Sequence, residues 1–236
     1  MSTKNREPLY SNQPHDPRHL WFGSFHGILS THSSAMPGYP FGSLTPVCRD
    51  LHGYPLLLVS HLAQHTQNLL ADTHCSLILT EPHHGDIQQW GRLTCLARAE
   101  QIRNITTSMK DRYFRYFPAS RDYYEKLNFH FYRLIPERFY FIGGFGSARW
   151  FDPERLLPAA LFSEEDENVI LSRLQSQISI NGSIENLTLV GIDPLGLDYY
   201  ANDQLSRFMF KEPVINMSQC IDQLGLIPIF HPDQPN

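Results

Sequence analysis

The sequence has 236 residues, of which 42% are hydrophobic and 18% are charged. This composition is that of a globular protein and excludes an intrinsically disordered chain, and the length allows one large domain or two modest ones. The formal net charge of −5 gives no bulk attraction to nucleic acid or to an anionic membrane, so we expect neither as a partner.

The N-terminal region, residues 1–18, is polar and interrupted by prolines, which predicts a flexible arm. It has no apolar segment typical of a signal peptide, and no apolar run in the chain reaches the roughly 18 residues of a membrane-spanning helix. The four cysteines are widely spaced and form no C-x-x-C motif, so we expect reduced thiols in the core. Together these features predict a soluble cytoplasmic protein.

Residues 19–152 contain about six segments with the pattern of β-strands and few helices between them. The predicted strands cover residues 25–33, two segments on either side of a turn at 50–53, then 75–80 and 92–102. Two more strands are predicted within 129–145, separated by a turn at Pro136 and Glu137. Tight turns join antiparallel strands, whereas parallel strands need helical crossovers. The pattern therefore predicts a closed or nearly closed antiparallel barrel.

The composition changes at residues 152–162, which predicts a linker, and residues 160–232 are predicted to form a small α+β domain. Ser163, followed by the acidic residues Glu164 to Asp166, predicts the start of a helix. Residues 187–200 predict two strands around a turn at Asp193 to Gly196, and a closing helix is expected to be capped by Asn216 or Ser218.

The segment at residues 54–72 passes from an apolar strand into a helix predicted over residues 62–71. Ser60 is expected to cap this helix, which would leave its first backbone N–H groups free to bind a phosphate. Helical spacing predicts a polar face formed by His61, His65, Asn68 and Asp72. The opposite face, toward the barrel, is predicted to be formed by Leu62, Thr66, Leu69 and Leu70. Two alternatives remain open here: a simple cap with solvated histidines, and a metal site, although no third ligand is adjacent.

Four blocks of sequence occur in the order found in a known family: YPFGSLTPV, LLLVSHLAQHTQNLLADTHCSLIL, GRLTCLARAEQI and FHFYRL…FYFIGGFGSARWF. Over residues 20–155 they resemble the FMN-binding split-barrel superfamily, related to pyridoxamine 5'-phosphate oxidase, and most closely its haem-utilisation (HugZ-type) branch. The C-terminal region resembles a small domain often fused to that barrel. The resemblance implies an α+β protein with an antiparallel split β-barrel followed by a small α+β domain.

The resemblance also implies a homodimer with FMN at its interface. Carried over residue by residue, the residues that would hold the FMN phosphate are Ser43, Thr45, Ser60, His61, His65, Thr66 and Asn68. The two segments that carry these residues, GSLTPV and SHLAQHTQN, contain no arginine or lysine, the residues that match a phosphate dianion in the oxidases. This absence predicts weak FMN binding. The substrate-binding residues of pyridoxamine 5'-phosphate oxidase have no counterpart here, so vitamin B6 oxidation is disfavoured.

In the haem-utilisation branch a histidine ligates the haem iron, and His231 near the C-terminus is the candidate by position. A solvated histidine in the C-terminal tail is the alternative for this residue. Three functions stay open. The first is a flavin- or haem-dependent oxidoreductase, which includes haem degradation. The second is a non-catalytic haem or flavin carrier, and the third is a dimeric scaffold whose cofactor site has decayed. No serine or cysteine nucleophile with a neighbouring base is apparent, so the catalytic residues are unknown and a hydrolase is unsupported.

Overall fold

The structure is a computed structural model, and it describes residues 16–80, 86–143, 147–158, 162–181 and 187–224. The first part of the chain supplies eight strands: β1 (His26–His32), β2 (Pro40–Pro46), β3 (Cys48–Arg49), β4 (Pro55–Ser60), β5 (His74–Thr80), β6 (Arg92–Gln101), β7 (Phe129–Ile142) and β8 (Ala148–Phe151). Four helices flank them: α1 (Pro17–Gly23), α2 (Gln64–Ala71), α3 (Thr107–Tyr116) and α4 (Ser120–Lys126).

The eight strands form one curled antiparallel sheet in the order β2-β1-β5-β6-β7-β4-β3, with β8 paired to β7. Its inner face holds the main core. Alternation along β6 places Leu93, Cys95, Ala97 and Ala99 inside, as the sequence pattern predicts. The predicted split β-barrel and α+β class are confirmed.

Helix α1 closes one side of the barrel. Asp16 caps it by accepting a hydrogen bond from the backbone N–H of Arg18, and Pro17 occupies its first turn, where a missing N–H costs nothing. The side chain of Trp21 is fully buried, and its indole N–H donates to the carbonyl oxygen of Gly53 over 2.9 Å. Residues 16–18 of the predicted arm are thus part of a buried helix start, while residues 1–15 lie outside the described residues.

Strand β7 corrects one prediction. Pro136 and Glu137 do not separate two strands but lie within a single strand of 14 residues. Ala97 of β6 pairs with Pro136, while Leu96 pairs with Arg138, so Glu137 is an extra residue in a β-bulge. A bulge is one of the few interior positions where a sheet tolerates proline, because no ladder N–H is needed there.

The C-terminal part adds helix α5 (Glu164–Asn181), strands β9 (Leu187–Asp193), β10 (Gly196–Ala201) and β11 (Gln204–Met209), and helix α6 (Met217–Leu224). The three strands form a second antiparallel sheet in the order β11-β10-β9. Ser163 begins α5 by accepting from the N–H of Asp166, and Asn216 caps α6 by accepting from the N–H of Gln219. The strand, turn and capping predictions for this region are confirmed.

A buried polar network joins the second sheet to the barrel through α3. Arg112 forms an ion pair with Glu167 of α5, and the hydroxyl of Tyr116 donates to Asp198 of β10. Arg207 of β11 pairs with Asp198 at 2.9 Å. The predicted division of the chain at residues 152–160 lies between the last strand of the first sheet and the first strand of the second. Apolar side chains also take part in the contact, since Val190 packs in one cluster with Leu56 and Phe131. No helix in the described ranges is long and apolar enough to span a membrane.

Candidate functional site

The seven residues predicted to hold the FMN phosphate, which we call the phosphate cradle, are Ser43, Thr45, Ser60, His61, His65, Thr66 and Asn68. Among them, His65 of α2 lies next to Ser43 of β2. The Nδ1 atom of His65 lies 3.2 Å from the hydroxyl oxygen of Ser43. The Nε2 atom of the same ring is buried and has no hydrogen-bond partner among the described residues. Burial lowers the pKa of His65 below its usual value, so the imidazole is neutral at pH 7.

Ser60 does not cap α2, which corrects the prediction. The helix begins at Gln64, and its N-cap Ala63 offers no side-chain hydrogen bond. The hydroxyl of Ser60 instead accepts from the N–H of Leu62 over 3.2 Å, within the turn before the helix. Thr66 donates its hydroxyl to the carbonyl oxygen of Ser60 over 2.7 Å. The hydroxyls of both residues are therefore used to shape the turn.

Asn68 is fully buried rather than on the polar face of α2. Its side-chain oxygen accepts from the N–H of Ser34 over 2.9 Å and from the side chain of Gln64 over 2.8 Å. Its side-chain nitrogen donates to Thr31 over 2.9 Å. Asn68 thus ties α2 to β1 and to the loop that follows it. The predicted opposite face is also partly wrong, since Thr66 and Leu69 are buried but Leu62 and Leu70 are exposed.

The two remaining cradle residues have other partners. The Nδ1 atom of His61 lies 3.1 Å from the carbonyl oxygen of Asn128, and its ring centroid is 6.5 Å from that of His130 on β7. Thr45 is buried on the inner face of β2. Ser43 with His65, and Ser60 with Thr66, are the pairs that the fold brings together.

The cradle does not fit the FMN phosphate. It offers a neutral imidazole and hydroxyls already engaged within the protein, and neither residues 40–46 nor residues 60–71 contain an arginine or lysine. A phosphate dianion needs charge-assisted donors to replace its hydration, and a neutral imidazole supplies at most one ordinary hydrogen bond. The unpaired Nε2 atom of His65 is compatible with one such bond.

A second cluster, which the sequence did not reveal, lies at the other end of α2. Asp72 follows the helix and its carboxylate contacts two exposed histidines, His32 at the end of β1 and His74 at the start of β5. The two Nδ1 atoms lie 2.7 Å from different carboxylate oxygens of Asp72. The backbone N–H of His74, followed by the two imidazoles of His74 and His32, holds the pKa of Asp72 far below its usual range by hydrogen bonding to the carboxylate. We call these three residues the His-Asp-His cluster.

The cluster lies on the outer face of the barrel sheet, the face that points away from the core. Cross-strand pairing continues this face through six strands, giving a row of six side chains that we call the outer row: Leu44, Ile28, Ile78, Thr94, Tyr140 and Trp150. Leu44 is 75% exposed and Trp150 is 51% exposed. Ile28 is 45% exposed, whereas Trp150 packs against Tyr140 with ring centroids 4.7 Å apart, so the outer row carries exposed apolar side chains at Leu44, Ile28 and Trp150.

The sequence carried a partial signal for this cluster. Asp72 was assigned to the polar face of the helix with His61 and His65, whereas it turns to β1 and β5 instead. An aspartate two residues before His74 is the pattern of an Asx turn, and the N–H of His74 does donate to Asp72 over 3.0 Å. The contact with His32, 40 residues away, requires the register of the sheet. The predicted iron ligand His231 lies outside the described residues.

Known proteins share parts of this chain. Residues 8–157 match the CREG beta-barrel family. A segment of 57 residues is 49% identical to a chloroplastic non-canonical heme oxygenase of Arabidopsis thaliana, but this segment covers 24% of the present chain and 18% of the plant protein. The chain therefore matches less than a fifth of that relative's length.

Two solved structures have the same fold. A protein of unknown function from Agrobacterium tumefaciens, Atu2129, superposes with a TM-score of 0.71 and 23% identity over 89% of this chain and 92% of that one. A heme binding protein from Mycobacterium smegmatis gives a TM-score of 0.55 and 20% identity, covering 94% and 97%. At these identities the likeness establishes the fold alone. With the family match over 150 residues, 8–157, the expected split-barrel fold is confirmed, and the chain belongs to the CREG β-barrel family.

Proposed function

We propose that this protein is a homodimeric haem-binding protein. The observation that carries the proposal is the outer face of the barrel, which holds both the His-Asp-His cluster and the exposed apolar side chains of the outer row. Haem needs an apolar surface for its ring, an imidazole for its iron and cations for its propionates. The outer face has all three kinds of group.

The cations are arginines on the same face. Arg98 pairs with His74 across β5 and β6, and its side chain is 57% exposed. Arg138 of β7 is 55% exposed, and it lies opposite Leu96 of β6, whose side chain is also exposed. Each guanidinium has an acidic neighbour at the protein surface, where such pairs are weak and can exchange for a propionate. The donor set of this face therefore fits haem.

Haem is favoured over FMN because the two candidate regions differ in what they offer. The cradle around His65 lacks a cation for the FMN phosphate. The outer face, in contrast, presents two imidazoles whose Nε2 atoms are not used in the contacts with Asp72. The plant relative, 49% identical over 57 residues, is a non-canonical heme oxygenase, and the Mycobacterium smegmatis protein of this fold is a heme binding protein.

A second copy of the chain is the proposed cover of the outer row. Leu44, Ile28 and Trp150 are large apolar side chains held in register across the sheet, and burying them against the same row of a partner would remove a substantial apolar area from water. In the proposed dimer the haem lies at the edge of this interface, next to the His-Asp-His cluster.

Bound haem would supply the redox chemistry, while the protein binds and orients it. Two roles remain for the same site. An oxidoreductase would let oxygen reach the iron and degrade the haem, whereas a carrier would bind haem without turnover.

Titration of the purified full-length protein with haemin tests the proposal, with FMN titrated in parallel. We expect a saturable Soret band with haemin, no saturable change with FMN, and a dimer by light scattering. Loss of the band on adding reductant and oxygen would assign haem degradation, and a stable band would assign a carrier. A monomer that fails to bind haemin would overturn the proposal.

A further inference from the structure

We propose that His74 is the haem iron ligand and that Asp72 is its positioning residue. This inference rests on the proposed haem-binding function and adds the atom that would bind the iron, the Nε2 atom of His74.

Asp72 fixes the orientation of the His74 ring. The carboxylate Oδ1 atom accepts from the backbone N–H of His74 over 3.0 Å and lies 2.7 Å from the Nδ1 atom of the same residue. Because an ionised carboxylate only accepts, Nδ1 carries the proton and Nε2 carries the free lone pair. Metal-ligating histidines commonly donate their second ring nitrogen to a carboxylate in this way, which fixes the tautomer and raises the basicity of the ligand.

The surroundings of His74 distinguish it from His32, which contacts the other oxygen of Asp72. His32 ends β1 opposite Pro40 of the edge strand β2. His74 instead pairs with Arg98 on β6, and the exposed Leu96 is two positions further along that strand. Diagonal neighbours of this kind are about 7–8 Å apart, within reach of one porphyrin ring. His74 thus has an exposed apolar side chain as its diagonal neighbour and a cation directly opposite.

The side chain of His74 is 64% exposed, so its Nε2 atom is accessible to a ligand as large as haem. His65 differs in this respect, because its Nε2 atom is buried. No group of three histidine, cysteine, aspartate or glutamate side chains in the described ranges is arranged to chelate a metal ion. One imidazole per iron, with the porphyrin supplying the other ligands, is the arrangement that this geometry supports.

Spectroscopy of the ferric haemin complex tests the inference with four variants of the full chain: H74A, H32A, H231A and D72N. His32 is the matched control, because its side chain is 71% exposed and contacts the same carboxylate. We expect H74A to lose the ligand-dependent Soret and electron paramagnetic resonance signals and to regain them when free imidazole is added. We expect H32A to keep both signals.

The D72N variant tests positioning. It keeps the imidazole but removes the charged acceptor, so we expect a shifted iron–histidine stretching band and haem affinity about 10-fold weaker, as for other outer-shell partners. A D72N spectrum identical to that of the unchanged protein would overturn the role of Asp72. Normal signals in H74A, or their loss in H32A or H231A alone, would overturn the assignment of His74. Absence of haemin binding by the unchanged protein would instead overturn the proposed function itself.

Discussion

Gly191 of β9 lies directly against the phenol of Tyr116 on α3, leaving no room for a side chain. This contact joins the two sheets, since the Tyr116 hydroxyl also donates to Asp198 of β10. A Cβ atom at position 191 would overlap the phenolic oxygen and displace a fully buried ring. A glycine is therefore required here by close approach rather than by backbone conformation.

We predict that G191A destabilises the protein by about 1–3 kcal/mol, the usual cost of overpacking a core, measured by chemical denaturation. G23A is the matched control, because a Cβ atom at Gly23 meets nothing within 4 Å. We expect G23A to be neutral or slightly stabilising. Equal stability of G191A and G23A would show that Tyr116 can move freely and that the contact is not constrained.

We predict that replacing two buried arginines, Arg207 and Arg49, changes the free energy of unfolding in different ways. Arg207 lies between Asp193 and Asp198, with ion-pair distances of 2.6 and 2.9 Å. Its replacement by methionine would leave two buried carboxylates without their cation. We expect R207M to lose about 3–5 kcal/mol of unfolding free energy, the usual cost of breaking a buried pair.

Arg49 is the contrasting case. It is 4% exposed, its Nε and Nη2 atoms have no hydrogen-bond partner among the described residues, and its guanidinium stacks 4.5 Å from the ring centroid of Trp21. Burial lowers the pKa of Arg49 to about 10. We therefore expect R49M to be neutral or to stabilise the protein by about 1 kcal/mol, measured beside R207M under the same conditions. A loss comparable to that of R207M would contradict this account.

The cysteines give a prediction about alkaline pH. Burial raises the pKa of the Cys48 thiol to about 12, far above its value near 8.5 in an unfolded chain. Above pH 8.5 the unfolded state loses this proton and the folded state keeps it. The stability from Cys48 is thus present below pH 8.5 and is lost as the pH rises toward 12.

We expect the free energy of unfolding to fall with pH above 9, and to fall less steeply in C48A, by up to about 1.4 kcal/mol per pH unit. The native thiols should also resist alkylation at pH 8, since all four cysteines are buried and free. Rapid labelling of Cys48 in the folded protein would contradict its burial.

Much of the barrel could be predicted from local pattern. The alternation of residues 92–101 is strict enough to predict β6, and the cap at Asn216 follows from a single residue type. The break expected at Pro136 was wrong because the same proline suits a turn and a bulge, and only pairing with β6 distinguishes them. The predicted start of α2, with Ser60 as its cap, was wrong for a similar reason, since a serine can shape a turn as well as cap a helix.

The candidate site was less predictable because its contacts are long-range. Helical spacing assigned Asp72 to a face with His65, but the carboxylate follows the last helical turn and reaches His32 across the sheet. Which strand lies next to β5 is decided by the whole barrel and not by residues near Asp72. The inward turn of Asn68 is likewise set by its partner Thr31 on β1.

His65 gives the last prediction, at acid pH. Burial lowers its pKa, so the folded state binds its proton less readily than the unfolded state, where the pKa is near 6.5. The stability that depends on neutral His65 is therefore present above pH 6.5. It is lost as the pH falls through the lower pKa that His65 has in the folded protein. We expect a His65 titration midpoint below 6.5 by nuclear magnetic resonance. In H65Q, which retains a donor toward Ser43, the loss of stability between pH 6.5 and 5 should be smaller. A midpoint at or above 6.5 would mean that the imidazole acquires a negative partner, and the phosphate cradle would then regain support.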